Sequence, residues 1–118
     1  MSDSEKGRVL GVGGVFFRSA DPVALSEWYT KHLGFQTEKW GNTCGVSFAP
    51  ADMPANAFTV WGAFEANTEY FGDSGQAFMI NLFVDDLDAA LANVEAGGAE
   101  VMEQREEHHF GRFGWFVD

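Results

Sequence analysis

Gly14-Val15-Phe16-Phe17-Arg18-Ser19-Ala20-Asp21-Pro22, followed by a helix-like run closing on Leu33-Gly34-Phe35, decides the reading of this chain, because it is written twice. Its echo is Met79-Ile80-Asn81-Leu82-Phe83-Val84-Asp85-Asp86-Leu87, followed by a second helix-like run closing on Gly97-Gly98-Ala99. Each copy is an extended apolar stretch, an Asp at a helix start, an amphipathic helix and a glycine stop. A repeat this long, with one helix per copy, predicts two paired α+β modules rather than a solenoid. Two such modules can enclose a cleft.

Residues 9–19 are apolar and extended and are predicted as the first strand; working outward, Asp21 offers an N-cap carboxylate and Pro22 a preset first helical residue. Leu25, Trp28, Tyr29 and Leu33 then recur at helical spacing and give one apolar face, and Gly34 ends the helix as a left-handed cap. Extended stretches are predicted at 35–40, 44–49 and 57–64, with Gly41-Asn42 as a hairpin turn and the proline-containing segment 50–56 as a loop. Residues 65–76 are polar and carry glycine, as a linker does. The second module opens with a strand at 77–84. Asp86 caps a helix whose apolar residues Leu87, Ala90, Leu91 and Val94 stand at i, i+3, i+4 and i+7. A strand at 99–103, an acidic loop and an aromatic strand at 112–117 complete the chain. The predicted architecture is a single α+β domain, with module one at about 8–64, the linker at about 65–76 and module two at about 77–118. Residues 1–7 form a polar tail, expected to be mobile. Module one reads as βαβββ; module two stops at Asp118 one strand short.

A chain of 118 residues with 46% apolar side chains has the material for one core. Aromatic residues reach 15%, including 12 Phe and 4 Trp, which suits either a Phe-rich core or an aromatic-lined cavity. The net charge of −11, with seven scattered basic residues, excludes a phosphate-binding surface and hence nucleic acid. The acidity serves solubility or attracts cations. The single cysteine, Cys44, excludes a disulfide framework and reads as a small buried residue. With no signal peptide and no long apolar run, the expectation is a soluble, cytoplasmic protein without a membrane segment.

The Asp-Pro-x-x-Leu-x-x-Trp-Tyr pattern from Asp21, the Leu33-Gly34-Phe35 close and Val84-Asp85-Asp86-Leu87-Asp88-Ala89-Ala90 resemble the vicinal oxygen chelate superfamily. That superfamily includes glyoxalase I, extradiol dioxygenases, fosfomycin-resistance enzymes and bleomycin-resistance proteins. Gly111-Arg112-Phe113-Gly114-Trp115-Phe116-Val117-Asp118 looks like the approach to its closing segment, which continues in a last strand bearing a glutamate. The resemblance covers nearly the whole chain. It implies paired βαβββ modules whose curved sheets form a half-open barrel, and in the enzymes a divalent metal held by His or Glu from the first and fourth strands of each module. Such a set leaves open positions for two neighbouring substrate oxygens.

Here the chain departs from the pattern. The first-strand ligand positions, counted back from the capping Asp21 and Asp86, fall on Gly14 and Met79, and neither side chain binds a hard divalent cation. No register error repairs this, because residues 9–20, 53–64 and 76–84 contain no His, Asp or Glu. The fourth strand of module two would follow Asp118. His108 and His109 are adjacent, so on an extended strand they point to opposite faces; with Glu106 and Glu107 they read as a surface loop. His32, near a helix C-terminus, suits the helix dipole. No metal, cofactor or catalytic residue is therefore predicted.

Alternation along the strands assigns what lines the cleft instead. With Gly14 inward, Phe16 and Arg18 share its face while Val15 and Phe17 pack under the helix. Met79, Asn81 and Phe83 face the cleft likewise, as do Thr59 and Trp61. Phe113 and Trp115 share one face of the last strand, and alternation leaves open which. The candidate ligand-binding set is Phe16, Arg18, Thr59, Trp61, Met79, Asn81, Phe83, His109 and Trp115: aromatic walls with a few polar handles, as in small-molecule sites. Arg18 would anchor an anion or pair with one of the many acids.

Three functions follow as expectations. The first is metal-independent small-molecule binding of the glyoxalase/bleomycin-resistance type, sequestering a cationic or aromatic compound between ring faces. The second is a metal-dependent lyase or dioxygenase of the same superfamily, if a longer chain completes the site. The third is a non-catalytic assembly module. The early stop leaves strand-edge groups unpaired, so a second chain in a symmetric homodimer, or the N-terminal segment, is expected to cover them; a shortened gene would give the same stop.

Overall fold

Asp21 and Asp86 begin the two helices as their sequence positions require. In the computed structural model, which describes residues 7, 10, 12–72 and 75–118, helix α1 spans Pro22–Leu33 and helix α2 spans Leu87–Ala96. Asp21 Oδ1 accepts from the Ala24 amide at 3.0 Å, and Asp86 Oδ1 accepts from the Ala89 amide at 3.0 Å. Each side chain satisfies one of the amide donors a helix start leaves open, which stabilises by about 1 kcal/mol. Gly34 closes α1 at φ 70°, ψ 24°. At the end of α2, Gly98 takes φ 90°, its amide donates to the Glu95 carbonyl, and the Ala99 amide donates to the Val94 carbonyl, both at 3.0 Å. That two-bond closure turns on a left-handed residue, which glycine supplies without a Cβ clash.

Each helix is followed by an antiparallel hairpin. Strands β1 (Glu38–Trp40) and β2 (Thr43–Gly45) pair with Trp40 opposite Thr43, turning on Gly41-Asn42. Strands β3 (Glu100–His108) and β4 (Gly111–Val117) pair from Glu100 opposite Val117 to His108 opposite Gly111, with a bulge between Val101 and Arg105. A 3₁₀ turn covers Pro50–Asp52. Among the described residues the architecture is thus α+β, with two helices and two small antiparallel sheets and no closed barrel.

Several expectations are corrected in extent. β1 and β2 are shorter than 35–40 and 44–49. The acidic segment after residue 103 is not a loop: β3 runs on to His108, and only His109 and Phe110 form the turn. The reason is pairing with β4, which supplies the backbone partners that a Glu-rich segment does not favour on propensity alone. The described residues of the predicted strands 9–19, 57–64 and 77–84 carry no ladder. Residues 1–6 of the polar tail, positions 9 and 11 of the first strand and positions 73 and 74 of the linker lie outside the described residues.

The chain divides into two units, Met1–Phe17 with Ala49–Asn81 and Arg18–Phe48 with Leu82–Asp118. The second holds both helices and both hairpins. Its core is Leu91 and Val94, the described residues that are buried, and α2 lays them against β3 and β4 while α1 packs on α2 and β2. Trp28 binds these parts together. Its indole Nε1 donates to the Gly97 carbonyl at 2.8 Å, and its ring lies over Phe116 of β4 at 6.2 Å and 27°. Tyr29, Phe35 and Phe48 continue the aromatic packing, with centroids 4.9 and 5.5 Å apart along the row. The first unit holds its own aromatic contacts, Phe17 with Phe78 and Phe64 with Tyr70 and Phe71.

Candidate functional site

Strand β4 is where the structure decides what alternation left open. Arg112 Nη2 lies 3.6 Å from Asp88 Oδ1 of α2. A Cβ on Gly114 would fall 2.8 Å from Leu91 Cδ1 of α2, and Phe116 stacks on Trp28 of α1. Residues 112, 114 and 116 therefore face the helices. Phe113 and Trp115, one residue out of phase, occupy the opposite face of the hairpin. Residues directly across a ladder share a face, so Glu106, opposite Phe113, and His108, opposite Gly111, stand on that helix-free face too.

There the rings form a cluster. His108 and Phe110 stack at 4.9 Å and 8°, Phe110 meets Phe113 edge-on at 5.9 Å, and His109 meets Phe110 edge-on at 5.1 Å. Glu106 Oε1 lies 3.0 Å from His108 Nε2, and Gln104 Nε2 donates to Glu106 Oε2 at 3.2 Å. The two arginines of the hairpin are engaged elsewhere: Arg105 Nη1 donates to the backbone carbonyls of Met102 and Gln104, and Arg112 stands beside Asp88.

The predicted ligand-binding residues divide between the units. Phe16, Thr59, Trp61, Met79 and Asn81 belong to the first; Arg18, Phe83, His109 and Trp115 belong to the second. Phe16 and Trp61 are almost fully exposed, at 92% and 80%, and Phe83 and Met79 are exposed as well. Thr59 borders an open concavity of about 490 Å³ formed by residues 50–59, whose wall includes Met53, Asn56 and Phe58. In the second unit, the turn and β4 bring His109 and Trp115 onto the hairpin that also carries Phe110 and Phe113. Sequence reasoning missed Glu106, His108 and Phe110 as members of one cluster. The signal was the two-residue phase between Glu106 and His108, hidden by reading that segment as a loop.

Among the described residues, the groups a divalent metal would need do not come together. Gly14 and Met79, where the resemblance places first-strand ligands, carry no donor for a hard cation, and among the described residues no three His, Cys, Asp or Glu side chains are placed to hold an ion. The residues present do not fit the superfamily's metal. His32 is packed between Trp28, at 5.1 Å, and Gly97, where a Cβ would lie 2.8 Å from the imidazole; Cys44 is half-buried and unpaired. Tyr29 Oη donates to Asp118 Oδ2 at 2.8 Å. Burial first, then that hydrogen bond and the carboxylate's charge, holds the phenol well above the ordinary tyrosine range. No helix of the described residues is long and apolar enough to cross a membrane.

Neither curated proteins nor solved structures returned a match to the chain. The family model described as "Glyoxalase-like domain" matches residues 14–118, from the start of the first repeat to the end of the second. The order seen here, a capped helix and an antiparallel hairpin written twice, accords with that match, and the chain belongs to the glyoxalase-like domain family of the vicinal oxygen chelate superfamily.

Proposed function

We propose that this protein is a metal-independent small-molecule-binding member of its family, sequestering a cationic or aromatic compound rather than transforming a metal-chelated one. The observation that carries the reading is the chemistry at the first-strand positions: Gly14 and Met79 offer no ligand for a hard cation. The number of aromatic side chains at the predicted ligand positions supports it, since ring faces bind flat or cationic molecules. The excess of 18 acidic over 7 basic residues favours cations by long-range attraction.

A thermal-shift screen of cationic aromatic compounds against divalent metals tests this. A ligand at 100 times its dissociation constant adds about 2.7 kcal/mol of stability. Stabilisation by aromatic compounds and none by Zn²⁺, Ni²⁺ or Mn²⁺ supports the reading. A stoichiometric metal in the purified protein, with activity lost to a chelator, overturns it in favour of a metal-dependent lyase or dioxygenase.

We further propose that the chain works as a homodimer of paired βαβββ modules. The segments predicted as strands at 9–19 and 57–64 hold Val15, Phe16, Val60 and Trp61, each more than half exposed, in stretches whose described residues pair with no strand. Exposed apolar residues on unpaired extended backbone invite another chain, and a symmetric copy is the simplest one. Sedimentation at micromolar concentration is expected to give a dimer; a monomer there overturns this part and leaves the ligand-binding reading untouched.

A further inference from the structure

We propose that the helix-free face of the β3–β4 hairpin binds a flat organic cation, with the ring of the ligand on Phe110, Phe113 and Trp115 and its positive charge at Glu106. This deepens the small-molecule reading above and rests on it. It adds Phe110, Phe113, His108 and Glu106 to the residues that would touch a ligand.

The argument starts from charge. Glu106 is half-buried, its side chain 27% exposed, on a face that carries aromatic rings. Its two oxygens meet Gln104 Nε2 at 3.2 Å and His108 Nε2 at 3.0 Å. A side-chain amide and the His108 imidazole, which forms a His–carboxylate pair with it, fix the direction of this carboxylate. The two arginines of the hairpin are held away from it: Arg112 sits on the other face beside Asp88, and Arg105 is bound to its own strand's carbonyls. The carboxylate is thus oriented and partly desolvated, with neither arginine of the hairpin beside it, so an incoming cation gains more from it than from a solvated acid.

The rings supply the second half. Phe110 is 59% exposed, which leaves ring surface open to a ligand, and it stacks on His108 at 8°. Phe113 meets it edge-on at 5.9 Å, and Trp115 follows two residues along the same strand face. A delocalised cation laid on such rings gains from both stacking and the ring quadrupole. An anion would meet Glu106 and is excluded. A small cation without a ring gains only part of the contact.

N-methylacridinium is a suitable probe, with acridine-9-carboxylate and tetramethylammonium as controls, measured by calorimetry on the full chain. The wild-type protein is expected to bind N-methylacridinium and neither control at the same concentrations. Glu106→Gln, which keeps the shape and removes the charge, and Phe110→Ala, which removes a largely exposed ring, should each weaken binding roughly tenfold, with unchanged circular dichroism. Equal affinity in wild type and both variants overturns this placement while leaving small-molecule binding in place. If N-methylacridinium does not bind at all, the placement is overturned as well, and the thermal-shift screen then decides separately whether the broader reading survives.

Discussion

The indole of Trp28 donates to the carbonyl oxygen of Gly97 at 2.8 Å, so the middle of the first helix is tied to the last turn of the second. The same ring covers Phe116. One side chain therefore joins the two copies of the repeat within the helix-bearing unit. Trp28→Phe keeps a ring in place and removes the donor. It should lower stability by about 1 kcal/mol, and more if the Gly97 carbonyl is left without water. Urea denaturation with an unchanged m-value checks this; a variant as stable as the parent would show that the bond contributes nothing.

Gly114 lets β4 lie against α2. A Cβ there would fall 2.8 Å from Leu91 Cδ1, and Leu91 is 7% exposed with little room to yield. Gly114→Ala is expected to cost about 1–3 kcal/mol by overpacking. In a Leu91→Ala background the same substitution should cost clearly less, a coupling that a double-mutant cycle reads directly. Additive effects would disprove the contact.

The two N-caps should behave alike. Asp21→Ala and Asp86→Ala each remove an acceptor for one helix-start amide and should each cost about 1 kcal/mol. They share no hydrogen-bond partner, so the double variant should lose the sum. Replacement of either by Asn is expected to restore most of the loss, and thermal melts of the parent and these five variants suffice to compare them.

Tyr29 gives a pH signature at the alkaline end. Its phenol is raised above the ordinary range in the folded state by burial and by Asp118, whereas in the unfolded chain it titrates near pH 10. The neutral form is thus favoured by folding. Its contribution is complete below about pH 10 and is lost as pH rises from there through the folded value. The stability advantage of the parent over Tyr29→Phe should be flat from neutral pH to about 9 and shrink above 10. An advantage that grows with alkalinity would contradict the hydrogen bond from Tyr29 to Asp118.

How much of this was legible in the chain differs between helices and strands. The helix starts at Asp21 and Asp86, the apolar faces through Trp28 and Leu91, and the glycine stops were all readable, because caps and helical periodicity act over a few residues of sequence. The family was readable from the same segments. The acidic run after residue 103 was not read as strand, because its structure comes from a partner across the turn and not from its own composition.

The sequence by itself determined two capped helices, their doubled order, the turn at Gly41-Asn42 and the chemistry missing at Gly14 and Met79. These depend on side-chain identity and on neighbours within a turn or two. The tertiary structure alone decided the faces of β4. Aromatic side chains stand on both parities, at 113 and 115 and at 116, so alternation had no preferred solution. The close approach of Gly114 to Leu91 and of Phe116 to Trp28 turned one set inward, and left Phe113, Trp115 and Glu106 together on the other side. A strand's period of two pairs its residues into faces, but only what packs against one of them says which face is which.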